Sequence, residues 1–341
     1  FPVIDYPPSV PLSSYVYNDT SECPLPCTRY VTYAQGADLA NRMPLWVKPK
    51  AKLTREDVHR LMSLHYRDTF FSPYVDVGAG AEHSPYRWNG LEWSLGETKY
   101  VNERVVGVHY TAWHFVGQLR RGLPSQMSAL LHWGADDHSW APKIPLHGGA
   151  SAVHPSYDDF NCTARDACRR AAGLPGTVTN FSFDSAWWLN QIVADQVYSR
   201  SDRAAPFVQA ARAALEAKLD GALSAADEKA AAAFAAGDEA AALKVLDEHA
   251  VAAGAAATEA WKGVWQDLVV KFIDGRTTTL NPEDEVCGCT KTPAEFSDAW
   301  KASLLADPKT EAHYALPDGP VGGAAAHGRA SRPKLTIKGV A

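Results

Sequence analysis

The chain has 341 residues, 46% apolar and 21% charged, and its 39 Asp and Glu outnumber 33 Lys and Arg for a net charge of −6. That length can bury one large or two modest cores, and the acid surplus argues against a nucleic-acid partner, which needs a concentrated positive face. No apolar run approaches the roughly 18 residues of a membrane-crossing helix, so no membrane span is expected.

Residues 1–45 are rich in Pro, Ser and Tyr and lack a sustained period, which reads as an extended arm with a small loop between Cys23 and Cys27. The opening Phe1-Pro2-Val3-Ile4-Asp5 has neither an initiator Met nor a basic-then-apolar leader, so a processed chain or a piece of a longer precursor is expected. Thr54 with Asp57 three residues on is a capping box. Val58, Leu61, Met62 and His65 then follow at helical spacing, predicting a helix that stops near Thr69. Gly78-Ala79-Gly80 is a loop without the glycine pattern or the following Lys of a phosphate cradle.

The stretch from Tyr100 to His147 organises the chain. Val105–Leu119 is a strand with bulk on both faces, so cover on both sides is expected. Arg120-Arg121-Gly122-Leu123-Pro124 is turn chemistry, and Gln126–Trp133 is the returning strand. Gly134-Ala135-Asp136-Asp137-His138-Ser139 then leaves the sheet as a polar loop, the place where chemistry is usually mounted on a rigid frame. His109 and His114 alternate onto opposite strand faces and cannot form one catalytic pair.

Residues 156–176 read as an exposed excursion. Phe181–Asn190 opens a helix capped by Asp184 or Ser185, with Trp188, Ile192 and Val193 inward. From Arg203 to Phe272 Ala, Glu, Lys and Leu dominate. Leu243, Leu246, Ala250, Ala253, Ala257, Trp261, Val264, Leu268 and Phe272 recur at steps of three and four, the stripe of a long helix whose alanines let a partner helix approach. Thr292-Pro293-Ala294-Glu295 predicts a further helix start, with Phe296, Trp300 and Leu304 as its stripe, before a Gly/Ala-rich basic tail.

Six cysteines lie in three close pairs, Cys23 with Cys27, Cys162 with Cys168 and Cys287 with Cys289, which suggests disulfides with their connectivity open. Cys-Gly-Cys would close a very small, strained loop and is the least determined of the three. No Cys pair has a His pair at finger spacing, so no metal is expected. The sequons at Asn18, Asn161 and Asn180, beside paired cysteines, point to a secreted or lumenal (including lysosomal) glycoprotein.

Several segments resemble peptidase family C69, the dipeptidase family of N-terminal-nucleophile cysteine hydrolases that includes the secernins. They are Leu53–Val58, His65–Thr69 with Pro73-Tyr74, Ser84–Arg87, Asn102–Arg104, Gln118–Arg120 with Leu123-Pro124, His132–Gly134 and Phe183–Trp188. Their order resembles the C-terminal two thirds of that family over roughly residues 44–220. The resemblance implies an α+β, four-layer αββα sandwich, here occupying residues 46–220. To it are added an Ala-rich helical region, 221–310, and a flexible basic tail, 311–341. It also implies a mature amino-terminal Cys as nucleophile. Its thiolate would attack an amide carbonyl, aided by an α-amino group of pKa about 7.7–8.0, on dipeptides or other small amides. No cofactor is implied.

Residue 1 is Phe, and no Cys precedes Cys23. The nucleophile is therefore expected on a cleaved amino-terminal chain of the same precursor that stays bound, and a larger extracellular assembly is compatible with that. The alternative is a non-catalytic structural or binding glycoprotein on a hydrolase scaffold. By the resemblance Arg104 lies near the nucleophile, where its fork could hold a substrate carboxylate or an oxyanion; the competing reading is a surface Arg paired with Glu103. Arg87, Asp136 and His138 are the candidates for substrate binding. For Arg87 the competing role is to brace its loop, and for Asp136 and His138 it is a solvated turn, the favoured one.

Overall fold

The structure, a computed structural model, describes residues 38–42, 45–46, 48–49, 51–67, 72–74, 77–86, 92–101, 104–158 and 180–314. The architecture is mixed α/β, with small antiparallel sheets and helices. Contacts divide the chain into two units, Phe1–Ala294 and Glu295–Ala341.

In the first unit, α1 (Arg55–Met62) carries the expected capping box: Thr54 Oγ1 accepts from the Asp57 N–H at 3.1 Å, and Asp57 Oδ2 accepts from the Thr54 N–H at 2.9 Å. The helix ends at Met62 rather than near Thr69, where the Ser63 N–H closes it on His59 O and Arg60 O. Its expected stripe is only half-buried, and the buried member, His65, lies beyond the helix end. A short hairpin follows, β1 (Glu92–Leu95) and β2 (Thr98–Val101), turned at Gly96 with φ +61°.

The central sheet has the order β3 (Trp113–Leu119), β4 (Ala129–Ala135), β5 (Ile144–His147), all antiparallel. Both long strands are shorter than expected. Residues 105–112 form bends and turns, and a single helical turn, α2 (Ser125–Ser128), occupies the start of the returning segment. The register pairs His114 with Gly134, Val116 with His132, Gln118 with Leu130, and then Leu130 with His147. One face therefore carries His114, Val116, Leu130, His132 and His147, because side chains alternate along a strand. Among the described residues, cover on both sides is not found for β3. His114 is buried, but on the other face Trp113 is 56% exposed, Phe115 45% and Leu119 87%.

Three helices build most of the core: α3 (Ala186–Ser199), α4 (Ser201–Ala235) and α5 (Glu239–Phe272). The expected domain boundary at residue 220 lies inside α4. In α3, Val193 is buried as expected, whereas Trp188 and Ile192 are half-buried; Leu189, Ala194 and Val197 take the innermost positions. Gly237, at φ +80°, reverses the chain, and Asp238 caps α5 through the Ala241 N–H at 2.9 Å. The stripe read from the sequence is the buried one: Ala253, Ala257, Trp261, Val264 and Leu268 pack with Leu215 and Leu219 of α4, with α3, and with Ile144 of β5. Each fully buried large side chain contributes about 1.5–3 kcal/mol. The expected excursion from residue 156 starts inside this core, since Ser156 is buried and its hydroxyl bonds Thr258 at 2.7 Å.

The ribbon β6 (Arg276–Leu280) and β7 (Cys289–Pro293) ends the first unit. Thr292-Pro293 is therefore strand, not helix start, because Thr292 pairs with Thr277. In the second unit, α6 (Asp298–Leu304) is capped by Ser297, whose hydroxyl accepts from the Trp300 N–H at 3.2 Å, and α7 is Pro308–Tyr314. Residues 1–37 of the arm, with Asn18, Cys23 and Cys27, and also Arg87, Asn161, Cys162, Cys168 and the tail beyond residue 314 lie outside the described residues.

Candidate active site

The loop that follows β4 is buried rather than a solvated turn: Asp136 is 1% exposed and Asp137 0%, and His138 and Ser139 are buried with them. Asp136 sits at φ +70°, an uncommon conformation for a residue with a Cβ. Its N–H donates to Ala112 O at 2.9 Å, and its carbonyl accepts from His114 Nδ1 at 3.0 Å. Its carboxylate oxygens have no hydrogen-bond partner among the described residues. Burial, with the Asp137 charge beside it, pushes this carboxyl well above its ordinary range.

Asp137 is the opposite case. Its Oδ2 accepts from Tyr198 at 2.6 Å and from Tyr86 at 2.8 Å, and its Oδ1 accepts from the Ser139 N–H at 2.8 Å. Burial raises this carboxyl too, with the three donors opposing the rise. Trp140 Nε1 donates to Tyr86 Oη at 2.9 Å and locks that ring. His65 bridges Tyr74 Oη at 2.7 Å and Ser139 Oγ at 3.0 Å, and burial holds its pKa down to about 4. Gly107 packs so closely against His65 and Ser139 that a Cβ there would lie 2.7 Å from each. The His65–Ser139 contact therefore braces the loop against the backbone at Gly107.

A histidine cluster lies on the buried face of the sheet and under α1. His114 and His138 are 5.5 Å apart by ring centroid, and His59 and His132 are 6.1 Å apart. Burial, with the Lys143 charge next in weight, lowers His114 to about 2, His59 to about 3 and His138 to about 4; burial and then Arg55 lower His132 to about 4. Lys143 is itself buried and pushed down to about 8, with Glu216 of α4 at 3.5 Å. Arg55 joins α1 to α4 through a two-pronged pair with Asp220 at 2.9 and 2.6 Å. His138 Nε2 bonds Met62 O at the end of α1, and Arg212 of α4 donates to Ser139 O at 2.6 Å. The loop is thus pinned from both sides.

Arg104 is exposed, in the bent segment before β3 rather than on the strand, with its guanidinium 5.1 Å from the Tyr110 ring. Tyr110 meets His109 at 4.9 Å, and His109 meets Tyr86 at 5.2 Å and Tyr198 at 6.0 Å. A ladder of rings therefore runs from the exposed Arg104 to the buried Asp137. Of the expected residues, Asp136 and His138 share one loop, Arg104 stands at the outer end of the ladder, and Arg87 lies outside the described residues. Sequence reasoning missed Tyr198 and Lys143; the only hint for Lys143 is a cation inside the apolar run Trp140–Ile144.

The model of peptidase family C69 matches residues 26–213, more than half of the chain. The chain belongs to peptidase family C69. In this C69 chain the match takes in the central sheet, the loop of Asp136, α3 and the first third of α4, and leaves out α5 and the β6–β7 ribbon. A search of curated proteins gave no match.

Proposed function

We propose that this chain is the large carboxy-terminal part of a dipeptidase-like amide hydrolase. Its nucleophilic Cys would be carried by an amino-terminal chain of the same precursor that packs on the open face of the central sheet. The observation that carries this reading is the face itself: among the described residues, Trp113, Phe115 and Leu119 stand exposed on one side of β3, in a family whose resemblance implies two stacked sheets. Placing a second sheet there completes the αββα sandwich. The attacking thiolate would then lie between the sheets, near the loop that β4 delivers.

In this reading Arg104 binds the carboxylate of a small peptide. The Tyr110–His109 rings form the wall behind it, and the Asp137 network fixes that wall. Asp136, whose carboxyl is pushed well above its ordinary range by burial and the neighbouring Asp137, lies in the same loop. The chain's part in the chemistry is to bind and orient, while the companion supplies the thiolate. A secreted, near-neutral setting suits the fold better than an acidic lumen, because the buried histidines are held neutral. The exposed Asn180 is an accessible sequon for a glycan.

The test is dipeptide hydrolysis by the precursor's two chains together and by this chain alone, with and without a thiol-alkylating agent. Activity is expected only in the pair and is abolished by alkylation. Activity indifferent to alkylation overturns the mechanism, and an inactive pair leaves a binding glycoprotein. Phe115→Ser with Leu119→Lys is expected to release the companion chain in sedimentation while this chain stays folded.

A further inference from the structure

Cys287 and Cys289 are joined to each other at the tip of the β6–β7 ribbon. The ring encloses a single residue, Gly288, at φ +62°. A cross-link stabilises mainly by restricting the unfolded chain, and more so for longer loops, so closing over one residue restricts almost nothing. The tip does not need it. Asn281 donates to Gly288 O at 2.8 Å, Gly288 to Asp284 O at 2.9 Å, and Asp284 Oδ1 accepts from the N–H groups of Val286 and Cys287 at 3.0 and 2.8 Å. The bond is also in the open: Cys287 is exposed and Cys289 half-buried. Its neighbours Leu280, the register partner of Cys289, and Val286 are 92% and 93% exposed. Glu283, Asp284 and Glu285 give the tip a local negative charge against the single Lys291.

We propose that Cys287-Gly288-Cys289 is a thiol–disulfide exchange site that oxidises peptide thiols whose neighbouring side chains are apolar and not acidic. Exposed disulfides are the labile, chemically active ones. The incoming thiolate attacks Cys287 Sγ, the more accessible sulfur. A mixed disulfide forms, the Cys287–Cys289 bond breaks, and Cys289 leaves as a thiolate that takes a proton from water. A second peptide thiolate attacks the peptide's own sulfur in the mixed disulfide and releases Cys287. Two peptide thiols become one disulfide and two electrons pass to the Cys pair. Leu280 and Val286 offer the apolar contact, and the acidic run repels anionic thiols.

The experiment treats the oxidised full chain with acetyl-Leu-Cys-Val-amide or acetyl-Asp-Cys-Glu-amide, quenches by alkylation, and follows the peptide bearing Cys287 and Cys289 by mass. Reduction by the apolar thiol is expected to be roughly tenfold faster than by the acidic one at low salt, with the ratio shrinking as salt screens the tip. The circular dichroism and melting midpoint should not change when this pair alone is reduced. In the Cys289→Ser chain Cys287 is a free thiol, so the symmetric disulfide of the apolar peptide is supplied instead. The Cys287 thiolate should take up one peptide as a mixed disulfide, release the other as a thiol, and keep the adduct because no Cys289 is there to displace it. Equal rates for the two thiols overturn the selectivity, and a lowered midpoint on reduction of this pair makes the bond structural.

Discussion

Gly134 lies directly against the His114 imidazole: a Cβ on Gly134 would fall 2.4 Å from His114 Nε2 and 3.0 Å from Pro142 O. The ring cannot swing aside without breaking its bond to Asp136 O at 3.0 Å. Gly134→Ala is therefore expected to destabilise the chain by roughly 1–3 kcal/mol, the cost of overpacking. Denaturant unfolding measures it. Adding His114→Ala should recover part of the loss, and strictly additive costs would mean the two residues do not conflict.

Asp136 gives a prediction with a pH signature. Its native carboxyl is held far above the ordinary carboxylate range, so the folded state keeps its proton where the unfolded chain, at about 3.9, has released it. The stabilising share of Asp136 is complete below about pH 3.9 and is lost as pH rises towards the native value. Asp136→Asn keeps the neutral shape and tolerates φ +70°. The variant should match the parent near pH 4 and gain on it by about 1.4 kcal/mol per pH unit above that until the native value is reached. Urea midpoints at pH 4, 6 and 8 check this; parallel curves would mean the carboxylate has a partner.

The histidines behave in the reverse sense. His114, His132 and His138 have native values of about 2, 4 and 4, below the ordinary imidazole value. The stability they confer is complete above about pH 6.5 and is lost as pH falls towards those values, at about 1.4 kcal/mol per histidine per pH unit. The lowered His59 and His65 act in the same sense, and the raised carboxyls of Asp136 and Asp137 oppose it. A steep fall in the urea midpoint between pH 7 and pH 5 is expected, and His132→Gln should flatten it by about one histidine's share. An unchanged slope in that variant would place its imidazole in water.

The parts of this fold that could be read from the sequence are those written in local spacing. The Thr54–Asp57 box and the α5 stripe from Leu246 to Phe272 need only neighbours three or four residues away. The site was less legible because its partners are distant: Tyr86 and Tyr198 reach Asp137 from 51 and 61 residues away. Asp136-Asp137-His138 is as polar as a surface turn, and only those long-range donors make its burial affordable. At Thr292 the local capping signal was strong, but the ladder to Thr277 satisfies the backbone first and delays the helix to Ser297. The open face of β3 looked like covered strand because its apolar pattern is that of an interior.

Arg104 separates binding from chemistry. Under the proposed function its guanidinium meets a substrate carboxylate at the exposed end of the ring ladder, a contact formed equally in the ground state and the transition state. Removing such uniform binding raises KM and leaves kcat in place. A charge-assisted pair of about 1.5–3 kcal/mol corresponds to roughly 10–150-fold. Arg104→Gln in the assembled two-chain enzyme should therefore raise KM for free dipeptides by about that factor, with kcat within about threefold. Dipeptide amides, which lack the carboxylate, should be cleaved alike by variant and parent. If the amide substrates suffer as much as the free dipeptides, with kcat falling and KM unchanged, Arg104 acts on the oxyanion instead and the role assigned to it is wrong.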